Sequence, residues 1–140
     1  MTCTFIGHRD APESIKDKLK ATLIKLIYES GVDNFYVGNN GNFDRIALSV
    51  LRELKSVYPH INYSVVLSYL PTEESVDIEN LIFPEGLETV PRRFAIDRRN
   101  RWMLRRSDYL ISYVFYNTGG AYKFSKIGER MGVKVINIAE

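Results

Sequence analysis

The chain has 140 residues, 45% of them apolar and 26% charged, with a formal net charge of +2. That length suits one domain with one sizeable core, and no apolar run approaches the ~20 residues a membrane span needs. One cysteine, Cys3, excludes an intramolecular disulfide, and two histidines without a Cys/His cluster argue against structural zinc, so neither metal nor cofactor is expected.

Residues 2–7 read as a strand ending at Gly7. They follow neither a basic leader nor a cleavage site, so a cytoplasmic location is expected. Asp10 and Glu13 have the spacing of a capping box, and Pro12 suits a first helical turn. Ile15, Leu19, Leu23, Leu26 and Ile27 recur at helical spacing to residue 30, where Gly31 closes the helix. A second strand over 34–38 and a second helix over 42–58 follow, the helix stopped by Pro59, and 61–68 form a third strand.

Residues 70–91 break this rhythm with six acids, no base and three prolines, and read as an irregular acidic loop of the kind that serves as a lid. Residues 92–107 read as a helix with Ile96, Asn100, Met103 and Leu104 on one side and Arg98, Arg101, Arg105 and Phe94 on the other. Residues 92–106 hold seven arginines and one acid, a local +6 that leaves −4 for the rest of the chain. The nearly continuous apolar run 109–115 reads as a strand covered on both faces. The turn Asn117-Thr118-Gly119-Gly120-Ala121 opens a last helix closed by Gly132, and 133–138 are the final strand. Alternating strands and helices predict a single Rossmann-like α/β domain over residues 1–140. It is a three-layer sandwich with a mainly parallel five-stranded sheet and helices on both faces.

In such sheets the ligand crevice lies at the carboxyl ends of the strands, where strand order reverses. Three turns should converge there: Gly7-His8-Arg9, Gly38-Asn39-Asn40-Gly41 and the Gly119-Gly120 turn. A strand that stops at a glycine turn and restarts as a helix offers backbone N–H groups and a helix dipole to an anion. Arg9 can grip a phosphate or carboxylate, or pair with Asp10 or Asp44. His8 is a candidate donor or general acid/base. Asp44, opening the second helix, can complement the dipole, hydrogen-bond a ribose hydroxyl, or act as base or nucleophile at a sugar carbon. Asn100 is an amide in an apolar stripe, so it either ties down a loop or points into the crevice. Trp102 is a core or stacking residue.

Together, Thr4-Phe5-Ile6-Gly7-His8-Arg9, Tyr36-Val37-Gly38 with Gly41 and Phe43-Asp44, Arg99-Asn100-Arg101-Trp102-Met103 with Asp108, and Gly119-Gly120-Ala121-Tyr122 resemble the SLOG superfamily of Rossmann-like domains. The likeness is greatest to its small bacterial and phage-type members and covers nearly the whole chain. It implies a nucleotide or nucleotide-derived ligand. The superfamily includes the Lonely Guy phosphoribohydrolases, the DNA-processing protein DprA and predicted nucleotide sensors. Lonely Guy enzymes carry Pro-Gly-Gly-x-Gly-Thr-x-x-Glu at the fourth-strand turn. Here Thr118 replaces the proline, Tyr122-Lys123 the Gly-Thr pair and Lys126 the glutamate, which argues against the same hydrolysis.

The leading expectation is therefore a domain that binds or senses a nucleotide-like small molecule through Gly7, His8, Arg9, Gly38, Asn39, Asn40, Gly41, Asp44, Asn100, Gly119 and Gly120. An enzyme acting at an N-glycosidic bond, with Asp44 or His8 as catalytic group, is the alternative. Nucleic-acid binding through the arginine-rich helix is a third, disfavoured by the adjacent acidic block and the small net charge. Helices flanking the sheet, the arginine-rich one with Trp102 among them, are candidates for self-association.

Overall fold

The computed structural model describes residues 1–69 and 80–140. Its strands are β1 (Thr2–Gly7), β2 (Asn34–Val37), β3 (Asn62–Val66), β4 (Leu81–Ile82), β5 (Tyr109–Tyr113) and β6 (Lys134–Asn137). Its helices are α1 (Lys16–Glu29), α2 (Asn42–Val57), α3 (Arg92–Arg105) and α4 (Gly120–Arg130). Every strand pairing is parallel, in the order β4-β3-β2-β1-β5-β6. Side chains alternate along a strand, so the two faces of β1 build two cores. Cys3 and Phe5 pack with α1 and α2 through Leu19, Leu23, Leu51 and Leu54. Ile6 faces the opposite layer with Met103 and Leu104 of α3 and Phe124 of α4. Thr4, on that second face, donates its hydroxyl to the Tyr36 carbonyl at 2.8 Å. This is the expected Rossmann-like sandwich with helices on both faces.

Among the described residues the sheet has six strands, not five. The extra one, β4, lies inside the stretch read as an irregular loop and pairs Leu81 with Val65 and Ile82 with Val66. Two residues are too few to register a period of two, so no pattern marks them. A 3-10 turn over Leu87–Thr89 follows, and residues 70–79 of the acidic loop lie outside the described residues. The expected capping box does not form. Pro12 precedes a 3-10 turn, Glu13–Ile15, with no side-chain cap, and the Glu13 carboxylate instead pairs with Arg45 of α2.

The apolar run 109–115 is not strand throughout. β5 ends at Tyr113 because the Asn137 side chain takes over the next rung, accepting the Val114 N–H and donating to the Val114 carbonyl, each at 3.0 Å. The chain then leaves the sheet, and Phe115 and Tyr116 are exposed. Among the described residues no helix is long and apolar enough to cross a membrane.

Candidate functional site

The chain moves outward from β1 through β2, β3 and β4, then returns to place β5 on the other side of β1. Strand order therefore reverses between β1 and β5, and a crevice opens at their carboxyl ends. A cavity of about 310 Å³ occupies it. Gly7, His8 and Arg9 line it from the end of β1, Asn40 and Asp44 from the β2–α2 turn, Asn100 from α3, and Gly120 from the start of α4. Of the expected site residues, Gly38, Asn39, Gly41 and Gly119 do not line this cavity; Gly38 is buried, and the other three are exposed. The cavity also has a lining residue that was not expected, Arg99.

Arg99 is 2% exposed. Its guanidinium donates to Asn40 Oδ1 at 2.9 Å, to Asn39 Oδ1 at 3.4 Å and to the Val66 carbonyl at 3.0 Å, while its Nε donates to Asn100 Oδ1 at 3.0 Å. One α3 side chain thus ties together the β2–α2 turn, the end of β3 and its own helix. Burial lowers its pKa, with the carboxylate of Asp44 opposing. Asn39 and Asn40 are therefore supports of the turn as well as cleft candidates. The signal for Arg99 was positional: residues 96, 99, 100 and 103 follow the i, i+3, i+4, i+7 rule of a buried stripe. The arginines on the other side behave as a polar face. Arg98 and Arg105 are exposed, and Arg101 pairs with Asp97 at 2.6 Å. Trp102 is half-buried, edge-on to Tyr36 with Arg106 over its ring.

Asp44, in the first turn of α2, is 8% exposed. Its Oδ2 reaches back to accept the Asn40 N–H at 2.9 Å, which holds the turn in a cap-like loop. Its other oxygen has no partner among the described residues. Burial raises its pKa to about 6, against the pull of Arg99, the Asn40 N–H and Arg9. Asn100, 7% exposed, is similar: its Oδ1 is taken by Arg99, and its Nδ2 has no partner among the described residues. One acceptor and one donor, fixed by their other atoms, are thus left on the cleft wall.

The glycines divide by what surrounds them. A β-carbon on Gly7 would lie 2.5 Å from the Phe43 ring, one on Gly38 would lie between Arg99 and Asp44, and one on Gly41 would meet the Arg9 backbone at 2.7 Å. These three are required by packing. Gly41 and Gly119 precede α2 and α4 in the same backbone conformation, φ 89° and ψ 178°, which is accessible essentially to glycine alone. Added carbons on Gly119 and Gly120 would meet nothing within 4 Å. α4 has no side-chain cap and no acid in its first turn, and the N–H groups of Gly120, Ala121 and Tyr122 have no partner among the described residues. Of the two glycine turns, this one is open to an anion.

His8 and Arg9 part company. His8 Nε2 accepts the N–H of Phe115 at 2.8 Å and of Tyr116 at 3.2 Å, so that nitrogen's lone pair is engaged by the β5–α4 loop. Arg9 holds the β2–α2 turn through its carbonyl, which accepts the Asn42 N–H at 2.9 Å. Its side chain is exposed and forms no ion pair with Asp10 or Asp44 within 4 Å. Cys3 is fully buried, and burial pushes its thiol pKa up. Among the described residues no three His, Cys, Asp or Glu side chains are grouped to hold a metal ion.

No protein-family model and no curated protein matches this chain.

Proposed function

We propose that the chain binds a nucleotide or nucleotide-derived small molecule in the cleft between β1 and β5. The observation that carries this reading is the convergence of Arg9, Asp44, Asn100 and the open Gly119–Gly120 turn on one cavity at the strand-order reversal. The phosphate and the sugar of a nucleotide each find a counterpart. The uncapped N–H groups at the start of α4, with Arg9 nearby, suit a phosphate. The unpartnered oxygen of Asp44 and the Asn100 amide suit sugar hydroxyls, which both donate and accept. A cavity of about 310 Å³ lies at the small end of the range for small-molecule sites. The resemblance to the SLOG superfamily points to the same ligand class.

Isothermal titration against a panel of nucleotides tests the proposal. Micromolar or tighter binding is expected for at least one, weakened at least tenfold by Arg9→Ala and by Gly120→Val. No binding across the panel sinks it.

One observation favours a second reading, hydrolysis or transfer at an N-glycosidic bond. Asp44 is a buried carboxylate in a cleft whose pKa is raised to about 6, the profile of a group set for proton transfer near neutrality. His8 is the weaker catalytic candidate because its Nε2 is engaged by the loop. Product analysis with nucleosides and nucleotides decides: turnover abolished by Asp44→Asn supports this reading, and turnover unchanged by it excludes Asp44.

A further inference from the structure

Next to His8, and outside the residues that line the cavity, the β5–α4 loop carries an aromatic pair that the nucleotide reading has not used. Phe115 is 69% exposed and Tyr116 52%. Single exposed aromatics are unremarked on a protein surface, but these two are consecutive, with ring centroids 5.8 Å apart and edge to face. Their backbone is held, because the N–H groups of both residues converge on His8 Nε2. The Tyr116 ring lies 4.9 Å from the imidazole. Behind it, Tyr113 meets His8 edge-on at 6.0 Å and stacks on the fully buried Phe43 at 6.4 Å. A row of rings thus runs from the core to the surface, and His8, its middle member, lines the cavity.

We infer that Phe115 and Tyr116 form a corner platform for a flat aromatic ring of the ligand in this cleft, one ring offering its face for stacking and the other its edge; for a nucleotide that flat ring is the base. The inference rests on the nucleotide reading and adds the part of the molecule that reading left without a contact. Only three residues separate Tyr116 from Gly120, so platform and open N–H groups belong to one loop between β5 and α4. That loop can take a base and a phosphate of the same molecule. The bonds to His8 hold the backbone of both residues before binding, so only the two side chains remain to be ordered when a ring stacks on them. Stacking is tolerant of ring identity because every base has a π-face. The platform therefore selects for the presence of an aromatic ring and discriminates weakly between purines and pyrimidines.

Titration of the full chain with AMP, UMP and ribose 5-phosphate tests this, on the native protein and on Phe115→Ala and Tyr116→Ala. Both side chains are exposed, so both variants should keep the native circular dichroism spectrum. AMP and UMP are expected to bind more tightly than ribose 5-phosphate. Loss of either ring should weaken the nucleotides about tenfold and leave ribose 5-phosphate unchanged. Equal binding of all three ligands, unaffected by either substitution, overturns the platform and leaves the nucleotide site standing. No binding by any of the three overturns the platform, which predicts binding of both nucleotides, and leaves the nucleotide reading to the wider panel. A dimer seen by sedimentation velocity that Phe115→Ala dissociates, with AMP affinity unaltered, reassigns the rings to self-association and overturns the inference.

Discussion

Asp44 and Arg99 meet in the space beside Gly38 that a side chain would fill: a β-carbon at residue 38 would stand 2.8 Å from Asp44 Oδ2 and 2.7 Å from Arg99 Nη1. The cleft floor is thus built from two buried, oppositely charged groups kept in place by the absence of a side chain between them. Gly38→Ala should destabilise the protein by about 1–3 kcal/mol, the usual cost of overpacking, measured by urea unfolding. Gly120→Ala is the contrasting case. Its added carbon meets nothing within 4 Å, so stability should stay within about 0.5 kcal/mol of native. Equal stability of the two variants would mean that the Arg99–Gly38–Asp44 packing is not rigid.

The pH dependence of stability should report Asp44. Burial raises its pKa from an ordinary 3.8 to about 6, so between those values the folded chain binds more protons than the unfolded one. Its contribution is therefore full below about pH 4 and lost as pH rises through about 6. A shift of that size corresponds to about 3 kcal/mol. Two carboxylates act the other way. Hydrogen bonds from Lys16 and Lys20 lower the Glu53 pKa. For Asp97, burial raises the pKa, but hydrogen bonds from Lys123 and Arg101 outweigh it. Stability due to both is lost as pH falls below the ordinary carboxylate range, outside the upper part of the Asp44 window. Urea midpoints across about pH 5 to 7 should fall in the native chain and stay flatter in Asp44→Asn.

Arg99 should be the most sensitive polar residue of the cleft. Arg99→Met removes the donor shared by Asn39, Asn40, Asn100 and the Val66 carbonyl and leaves Asp44 without its nearest buried cation. A loss of about 3–5 kcal/mol is expected, as for breaking a buried charge network. Arg99→Lys should recover little, since an ammonium cannot reproduce the planar fork. Near-native unfolding of Arg99→Lys would show that charge alone, without geometry, holds the turn.

Ser112 should behave in the opposite sense. Its hydroxyl on β5 is fully buried and has no hydrogen-bond partner among the described residues. Ser112→Ala removes an unsatisfied polar group and should be neutral or stabilising by up to about 1–2 kcal/mol in thermal or urea unfolding. A clear loss of stability would reveal a partner for the hydroxyl.

The residues that were legible in the sequence carry local signals. The strand-to-helix turns at Gly41 and Gly119 were evident because a φ near +90° demands glycine. Most elements lie within a few residues of their expected bounds because burial periods are written along the chain. Arg99 was missed because it was read as a charge, although its position belongs to the buried stripe of α3. The end of β5 was misplaced for a different reason. Val114 and Phe115 have strand-forming side chains, and only Asn137, 23 residues after Val114, ends the ladder. The strand β4 escaped because its two residues carry no pattern, and its pairing partner β3 lies more than ten residues earlier.

By itself the sequence determined the order of elements, the α/β class and the two glycine turns, since periodicity and φ preference act within a few residues. Tertiary structure alone decided that β1 pairs with β5, with Cys3 opposite Tyr109, and so where the crevice opens. It also decided that Arg99 is buried, that the Asp44 pKa rises, and that His8 braces two exposed rings. Those properties come from desolvation and from hydrogen bonds between residues tens of positions apart, which exist only once the layers have closed over the sheet.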